Sequence, residues 1–239
     1  MTVAADPDQA ARAALEALST ARVAQTSSTA ERVADALREQ VVEGRLLPGV
    51  RLGEQSFCDA MRVSRNTLRE AFSQLVAERI LVREAHRGVF VTTPGVADVH
   101  DVYRSRRIVE PAAVRHGENA RDEAAVSRVR DAVEEGRAAA GREDWAGVAD
   151  ANQHFHRALV GLAGSTRLDQ QMDLLLAEMR LTFHRMGTHR DFHEPYLERN
   201  DAVATLVERG ELEEAAREVA DYLADAETRI IASLSGART

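Results

Sequence analysis

Lysine is absent from the chain, and all 31 basic residues are arginine. A guanidinium can grip phosphate or guanine with two parallel hydrogen bonds, which an ammonium cannot do. A bias this uniform reflects base composition, however, and marks no site. There is a single cysteine, Cys58, so an internal disulfide and a multi-cysteine zinc centre are both excluded. Aromatic residues make up only 4% of the chain, and Ala and Leu dominate the apolar set, which favours helices over sheet. No apolar run approaches the ~18 residues of a membrane span. The first eight residues lack the basic-then-apolar order of a secretory signal, and a cytoplasmic location is expected.

The hydrophobic content of 44% suffices for a real core. The net charge of −8 looks wrong for a partner of nucleic acid, but its distribution matters more than its sum. Residues 29–93 carry ten arginines against nine acids, and the acidity is concentrated after residue 94. Residues 1–28 read as a mobile arm, with a loose helix over Ala10 to Ala24.

Ser28-Thr29-Ala30-Glu31 is a capping box that opens a helix ending at Gly44. A short helix follows over Glu54 to Met61. Ser64 then caps a helix running to about Glu78. Leu68, Ala71, Phe72, Leu75 and Val76 form its apolar stripe, and Arg65, Asn66, Arg69 and Ser73 face away. Leu81 to Glu84 and Val89 to Val91 read as two strands joined by Ala85-His86-Arg87-Gly88. Three helices and a β-hairpin are the layout of a winged helix-turn-helix. From Val96 onward only helices are predicted, over 96–119, 122–140, 144–163, 165–187, 193–209 and 211–234. The expected fold is therefore mainly α, a winged helix-turn-helix followed by an antiparallel helical bundle. The expected divisions are an arm (1–28), a DNA-binding domain (29–93), a linker (94–96) and an effector-binding and dimerisation domain (97–235).

A recognition helix needs hydrogen-bonding groups outward over a stiff core. Arg65 and Arg69 lie four apart on one face, with Asn66 and Thr67 in the first turn. Residues 29–93 resemble the DNA-binding domain of the GntR family, in LREQVVEGRLLPG (37–49), VSRNTLREAFSQLVAERIL (63–81) and RGVFV (87–91). The resemblance implies DNA contacts by Ser64, Arg65, Asn66, Thr67 and Arg69 and by the wing tip His86, Arg87 and Gly88. Arg62 stands where that family usually has a turn glycine.

Residues beyond 96 resemble the FadR branch of that family, with its FCD-type domain. The resemblance is carried by Arg107, Glu110-Pro111, NQHFHRALVGLAGSTRL (152–168) and VATLVERGELEEAAREVADYL (203–223). Many such domains hold a divalent metal through one Asp and three His. Mapped here, those positions fall on Asn152, His156, Asn200 and Tyr222, so His156 alone is retained. A shift of one residue would bring in Asp201 or Asp221. The donor set is poor for a first-row metal, and no metal or other cofactor is expected. The expected effector is a carboxylate-bearing small molecule held by Arg107, Asn152, His156, Asn200 and Tyr222, with His184 as an outlying candidate.

The resemblance further implies a homodimer on double-stranded operator DNA. No Ser-His-Asp or Cys-His set and no phosphate loop is present, so an enzyme is not expected. The alternative is an architectural DNA binder that answers to no ligand.

Overall fold

The computed structural model describes residues 28–186 and 190–236. The expected arm, apart from Ser28, lies outside the described residues, as do Gly187 and His189. The chain divides into two compact units. One runs to Pro94 and includes Ala177–Arg185; the other takes Gly95–Leu176 and Met186 onward.

The first unit is built on α1 (Thr29–Val42), β1 (Arg51–Leu52), α2 (Glu54–Met61), α3 (Arg65–Ala77), β2 (Leu81–Glu84) and β3 (Gly88–Val91). The capping box forms as expected: the Glu31 amide donates to Ser28 Oγ at 3.2 Å, and the Ser28 amide donates to the Glu31 carboxylate at 2.7 Å. Leu37, Phe57, Leu68, Phe72, Leu75 and Ile80 are fully buried where the three helices meet, and Cys58 packs in the same core. β2 and β3 pair antiparallel, with Leu81 opposite Val91 and Glu84 opposite Gly88. β1 completes the sheet in the order β1-β3-β2, with Leu52 opposite Val89. This third strand was not predicted. Two residues give no alternation to read, and only pairing with β3 defines the strand. Ala177 and Leu181 also belong to this core, although the sequence pattern places them in the helical half.

The second unit is entirely helical among its described residues: α4 (Val96–Arg115), α5 (Glu123–Gly141), α6 (Trp145–Gly161), the first half of α7 (Thr166–Met186), α8 (Arg190–Glu208) and α9 (Leu212–Gly236). α5 packs on α6 and α8, and α9 packs on α4 and α8. Arg130 ties α5 to α8 through Asp201 and Glu208, with Arg130 Nε 2.7 Å from Glu208. α8 starts three residues before the predicted position and carries Pro195 inside it. Pro195 has no amide to offer Asp191 O, four residues back. Arg229 Nη2 from α9 donates to that oxygen instead, at 2.7 Å, so the proline does not leave it orphaned.

The turn from α2 to α3 runs through Arg62, whose φ of 53° is left-handed. A side chain there costs about 1 kcal/mol against glycine. Arg62→Gly is expected to stabilise the protein by roughly 0.5–1 kcal/mol, read as a higher urea midpoint with unchanged slope.

Candidate DNA interface and interior polar site

α3 divides cleanly into two faces. Leu68, Ala71, Phe72 and Leu75 have no exposure, whereas Arg65, Asn66 and Arg69 are exposed. Ser64 caps the helix: its hydroxyl accepts from the Thr67 amide at 3.1 Å and lies 2.8 Å from Thr67 Oγ1. Both hydroxyls of this first turn are therefore engaged in holding the helix start. The N-terminus of α3 leaves amides suited to a phosphate. At the wing tip His86 and Arg87 are exposed. His86 takes φ 60° and Gly88 takes φ 115°, so the chain turns sharply there. Arg87 pairs with Glu84 and lies 5.4 Å over the Phe90 ring.

Two further arginines join this basic face. A Cβ on Gly88 would lie 3.3 Å from Arg51 Nε, which puts the β1 arginine against the wing. Arg83, exposed on β2, acts with Arg65 and Arg69 on the Glu54 carboxylate, which their charges and the Arg69 hydrogen bond hold below its usual pKa. No sequence signal marked Arg83, since alternation places it on the side of the buried Leu81 and Val89.

The second unit buries a polar chain. Asn152, His156, Asn200 and Tyr222 converge, from α6, α8 and α9. Asn200 Nδ2 and Tyr222 Oη both donate to Asn152 Oδ1 at 2.9 Å, and Tyr222 Oη lies 3.3 Å from His156 Nε2. His156 Nδ1 is 2.7 Å from Glu110 Oε2, and Arg106 Nε donates to Glu110 Oε1 at 2.6 Å. Asp201 is not in the cluster, since it pairs with Arg130 and Arg137, and Asp221 is exposed.

Arg107 needs correction. It is half-buried and pairs with Glu227, which also receives His100 Nδ1 at 2.7 Å. Arg106 is the interior arginine. The signal was present in the inward stripe Val99, Tyr103, Arg106 and Glu110, spaced at helical intervals. His184 is likewise outside this site; it lies in the other unit, 3.3 Å from Val42 O.

Burial opposes charge on Glu110, but Arg106 and His156 outweigh it and hold the carboxyl below its ordinary range. Burial together with the charge of Arg106 pushes the His156 imidazole down, against the pull of Glu110. Burial raises the Tyr222 phenol well above its usual value. The neutral imidazole donates from Nδ1 to Glu110 and leaves an Nε2 lone pair facing the cluster.

This donor set does not fit a divalent metal. One imidazole, two amide side chains and a phenol held protonated replace the anionic and imidazole ligands a first-row ion prefers. Among the described residues no three His, Cys, Asp or Glu side chains are grouped to hold an ion. Within this polar chain two buried atoms have no hydrogen-bond partner among the described residues: Arg106 Nη2, a donor, and Asn200 Oδ1, an acceptor. The void beside Asn152, His193 and Asn200 has a volume of about 10 Å³, on the scale of one water. A larger surface groove of about 620 Å³ is lined by Arg128, Glu135, His154 and Arg157. Its charges largely pair within the protein, as in His154–Glu135 at 2.8 Å, and it touches none of the buried network.

The comparisons with known proteins divide the chain in the same order. Residues 29–91 match the family of bacterial regulatory proteins, gntR family, and residues 101–225 match the FCD domain. The HTH-type transcriptional regulator BphR of Paraburkholderia xenovorans is 30% identical over 201 residues, 78% of this chain and 81% of that protein. The galactonate operon transcriptional repressor of Escherichia coli is 24% identical over 67% of this chain and 78% of its own length. The crystal structure of a transcriptional regulator GntR from Rhodococcus sp. RHA1 superposes with a TM-score of 0.80 at 40% identity, covering 86% of this chain and 99% of that one. Escherichia coli McbR/YncC shares the fold, with a TM-score of 0.73 at 19% identity. None of the described helices is long and apolar enough to cross a membrane.

His156 has a testable consequence. The unfolded chain takes up a proton near the ordinary histidine pKa of 6.5 and the folded chain does so only at lower pH. Stability is therefore expected to fall as pH drops through that value, with a slope of at most about 1.4 kcal/mol per pH unit. Urea melts of His156→Gln between about pH 5 and pH 7 are expected to show a flatter dependence than the parent.

Proposed function

The chain belongs to the gntR family of bacterial regulatory proteins and carries an FCD domain, and from that premise we propose that it is a cytoplasmic, homodimeric operator repressor released or tightened by a small hydroxylated acid. Transcription regulators, not enzymes, make up both families and the relatives. The observation that carries the reading is the split of α3, with Arg65 and Arg69 outward and Leu68, Phe72 and Leu75 in the core. Arg65, Asn66 and Arg69 read base edges from the first turns of α3. Ser64 and Thr67 set its start, and His86, Arg87 and Gly88 contact the backbone or minor groove. A dimer would present two such helices to the halves of a near-palindrome. The repressor role draws on the similarity to the galactonate operon transcriptional repressor.

The effector reading rests on the unpartnered buried groups. An acid with hydroxyl groups supplies what they need: a carboxylate oxygen for Arg106 Nη2 and an O–H donor for Asn200 Oδ1. Asn152 and Tyr222 hold these groups in place. The void is far too small for such a molecule, so binding must open the helices. Closed and open packings are the two states that the effector weighs against each other. It can shift operator affinity only by its differential affinity for them, typically ~1–3 kcal/mol.

Charge adds a condition. Arg106 is already balanced by Glu110, so an entering carboxylate brings an uncompensated negative charge. The charged and titratable groups of this site include Glu110 and Arg106 on α4, His156 on α6, His193 beside the void on α8 and Tyr222 on α9, and near neutral pH only the two imidazoles can supply a new positive charge. Acid binding should therefore take up a proton at His156 or His193.

Two measurements check this. Arg65→Ala should weaken binding to a duplex selected by the protein from a random library by about 1–3 kcal/mol and relax base choice at one position; unchanged binding removes Arg65 from the interface. In thermal melts against sugar acids and the corresponding neutral polyols, only acids should stabilise, more at pH 6 than at pH 8, roughly the range over which imidazole titrates. Asn200→Ala should abolish that shift while leaving binding to the selected duplex intact. A melt indifferent to every acid, with DNA binding blind to sequence, would instead favour an architectural protein.

A further inference from the structure

Arg69 does not wait for DNA as a free cation. Its Nε lies 3.1 and 3.2 Å from the two Glu54 oxygens, and its Nη2 lies 2.9 Å from Oε2. The pair joins the third residue of α3's outward face to the first turn of α2. This contact uses the Nε/Nη2 side of the guanidinium. The end-on edge, Nη1 with the second Nη2 hydrogen, points away from the carboxylate. That edge is the one that can span O6 and N7 of a guanine. Neighbouring groups are held differently. Arg65 Nη2 donates to the neutral Gln55 at 2.6 Å and keeps its full charge, while Asn66 Nδ2 donates to Glu70 at 2.7 Å. Glu54 sets a full negative charge among Arg65, Arg69 and Arg83, three cations of the DNA face.

We propose that Glu54 is a positioning and specificity-determining residue, which holds Arg69 side-on through Nε and Nη2 so that its end-on edge reads a guanine while its charge is withheld from phosphates. The inference rests on the DNA-contact reading of α3 given above. Two physical effects act in opposite directions on the two kinds of DNA. On a matched site, a guanidinium already fixed in its reading pose loses less side-chain freedom on binding. On unmatched DNA, a neutral Arg69–Glu54 pair gains little from a phosphate and releases no counterion. The pair is exposed, with Arg69 58% and Glu54 33% accessible, so it is weak in water. Its effect lies in direction and charge, and it adds little to the stability of the fold.

The test compares the parent, Glu54→Gln, Arg69→Ala and the double variant. Fluorescence anisotropy is measured on a duplex selected from a random library and on its scrambled counterpart, across a salt series. Glu54→Gln is expected to weaken the selected duplex roughly 3- to 10-fold. It should tighten the scrambled duplex and steepen its log K against log[salt] slope by about 0.9, one added phosphate contact. In the Arg69→Ala background, Glu54→Gln should have no further effect on the selected duplex. Equal tightening of both duplexes would overturn the proposal and leave Glu54 as a repulsive charge only. An unchanged affinity for the selected duplex would also overturn it. If Arg69→Ala leaves both duplexes untouched, the DNA-contact reading of Arg69 fails and the role of Glu54 fails with it. If the Gln variant does not fold, Glu54→Asp keeps the charge but shortens the reach, and it should weaken the selected duplex without steepening the scrambled slope; full affinity in that variant would count against the proposal.

Discussion

The structure depends on one helix keeping two faces apart. Leu68, Phe72 and Leu75 of α3 are fully buried against α1 and α2, and that anchorage fixes the direction in which Arg65 and Arg69 point. A recognition helix gains specificity only if its backbone cannot roll, because a roll of one position moves every outward side chain by about 100°. The Ser64 cap and the sharp Arg62 turn set where the helix begins, and the sheet order β1-β3-β2 sets where the wing stands. The arginine positions follow from packing; their charge alone would not place them.

The second unit answers a different constraint. A helical interior that encloses Arg106 and Glu110 must balance them, and it does so within a chain of hydrogen bonds that reaches His156, Tyr222, Asn152 and Asn200. Such a pair adds little net stability, since desolvation offsets most of the attraction. It does fix which side chains face one another, and it leaves a few unsatisfied groups where a ligand could do better than the protein does alone. At the positions where the family resemblance would put metal ligands, this chain has two amides and a phenol beside His156, and charge balance rests on the arginine–carboxylate–imidazole chain.

Much of this was legible in the sequence, for local reasons. α1 and α3 carry their own caps and apolar stripes, so their existence and faces could be read directly. The convergence of Asn152, His156, Asn200 and Tyr222 came from the family resemblance, because three helices separated by up to 70 residues share no local pattern. β1 escaped notice because a two-residue strand exists only through its partner. Arg106 and Arg107 differ by a single step of helical phase, and it is Arg106 that shares the inward side with Tyr103 and Glu110. The early start of α8 was hidden by Pro195, whose missing hydrogen bond is made good by Arg229, far along the chain. In each case the failure lies where structure is decided by residues distant in sequence.

The central claim is that α3 enters the major groove with its arginine edge toward the bases. Methylation interference on a duplex selected by the protein tests it most directly, since methyl groups at guanine N7 block the major-groove edge. The expected result is loss of binding when specific guanines within each half-site are methylated. Binding indifferent to guanine N7 methylation throughout the selected duplex would contradict it.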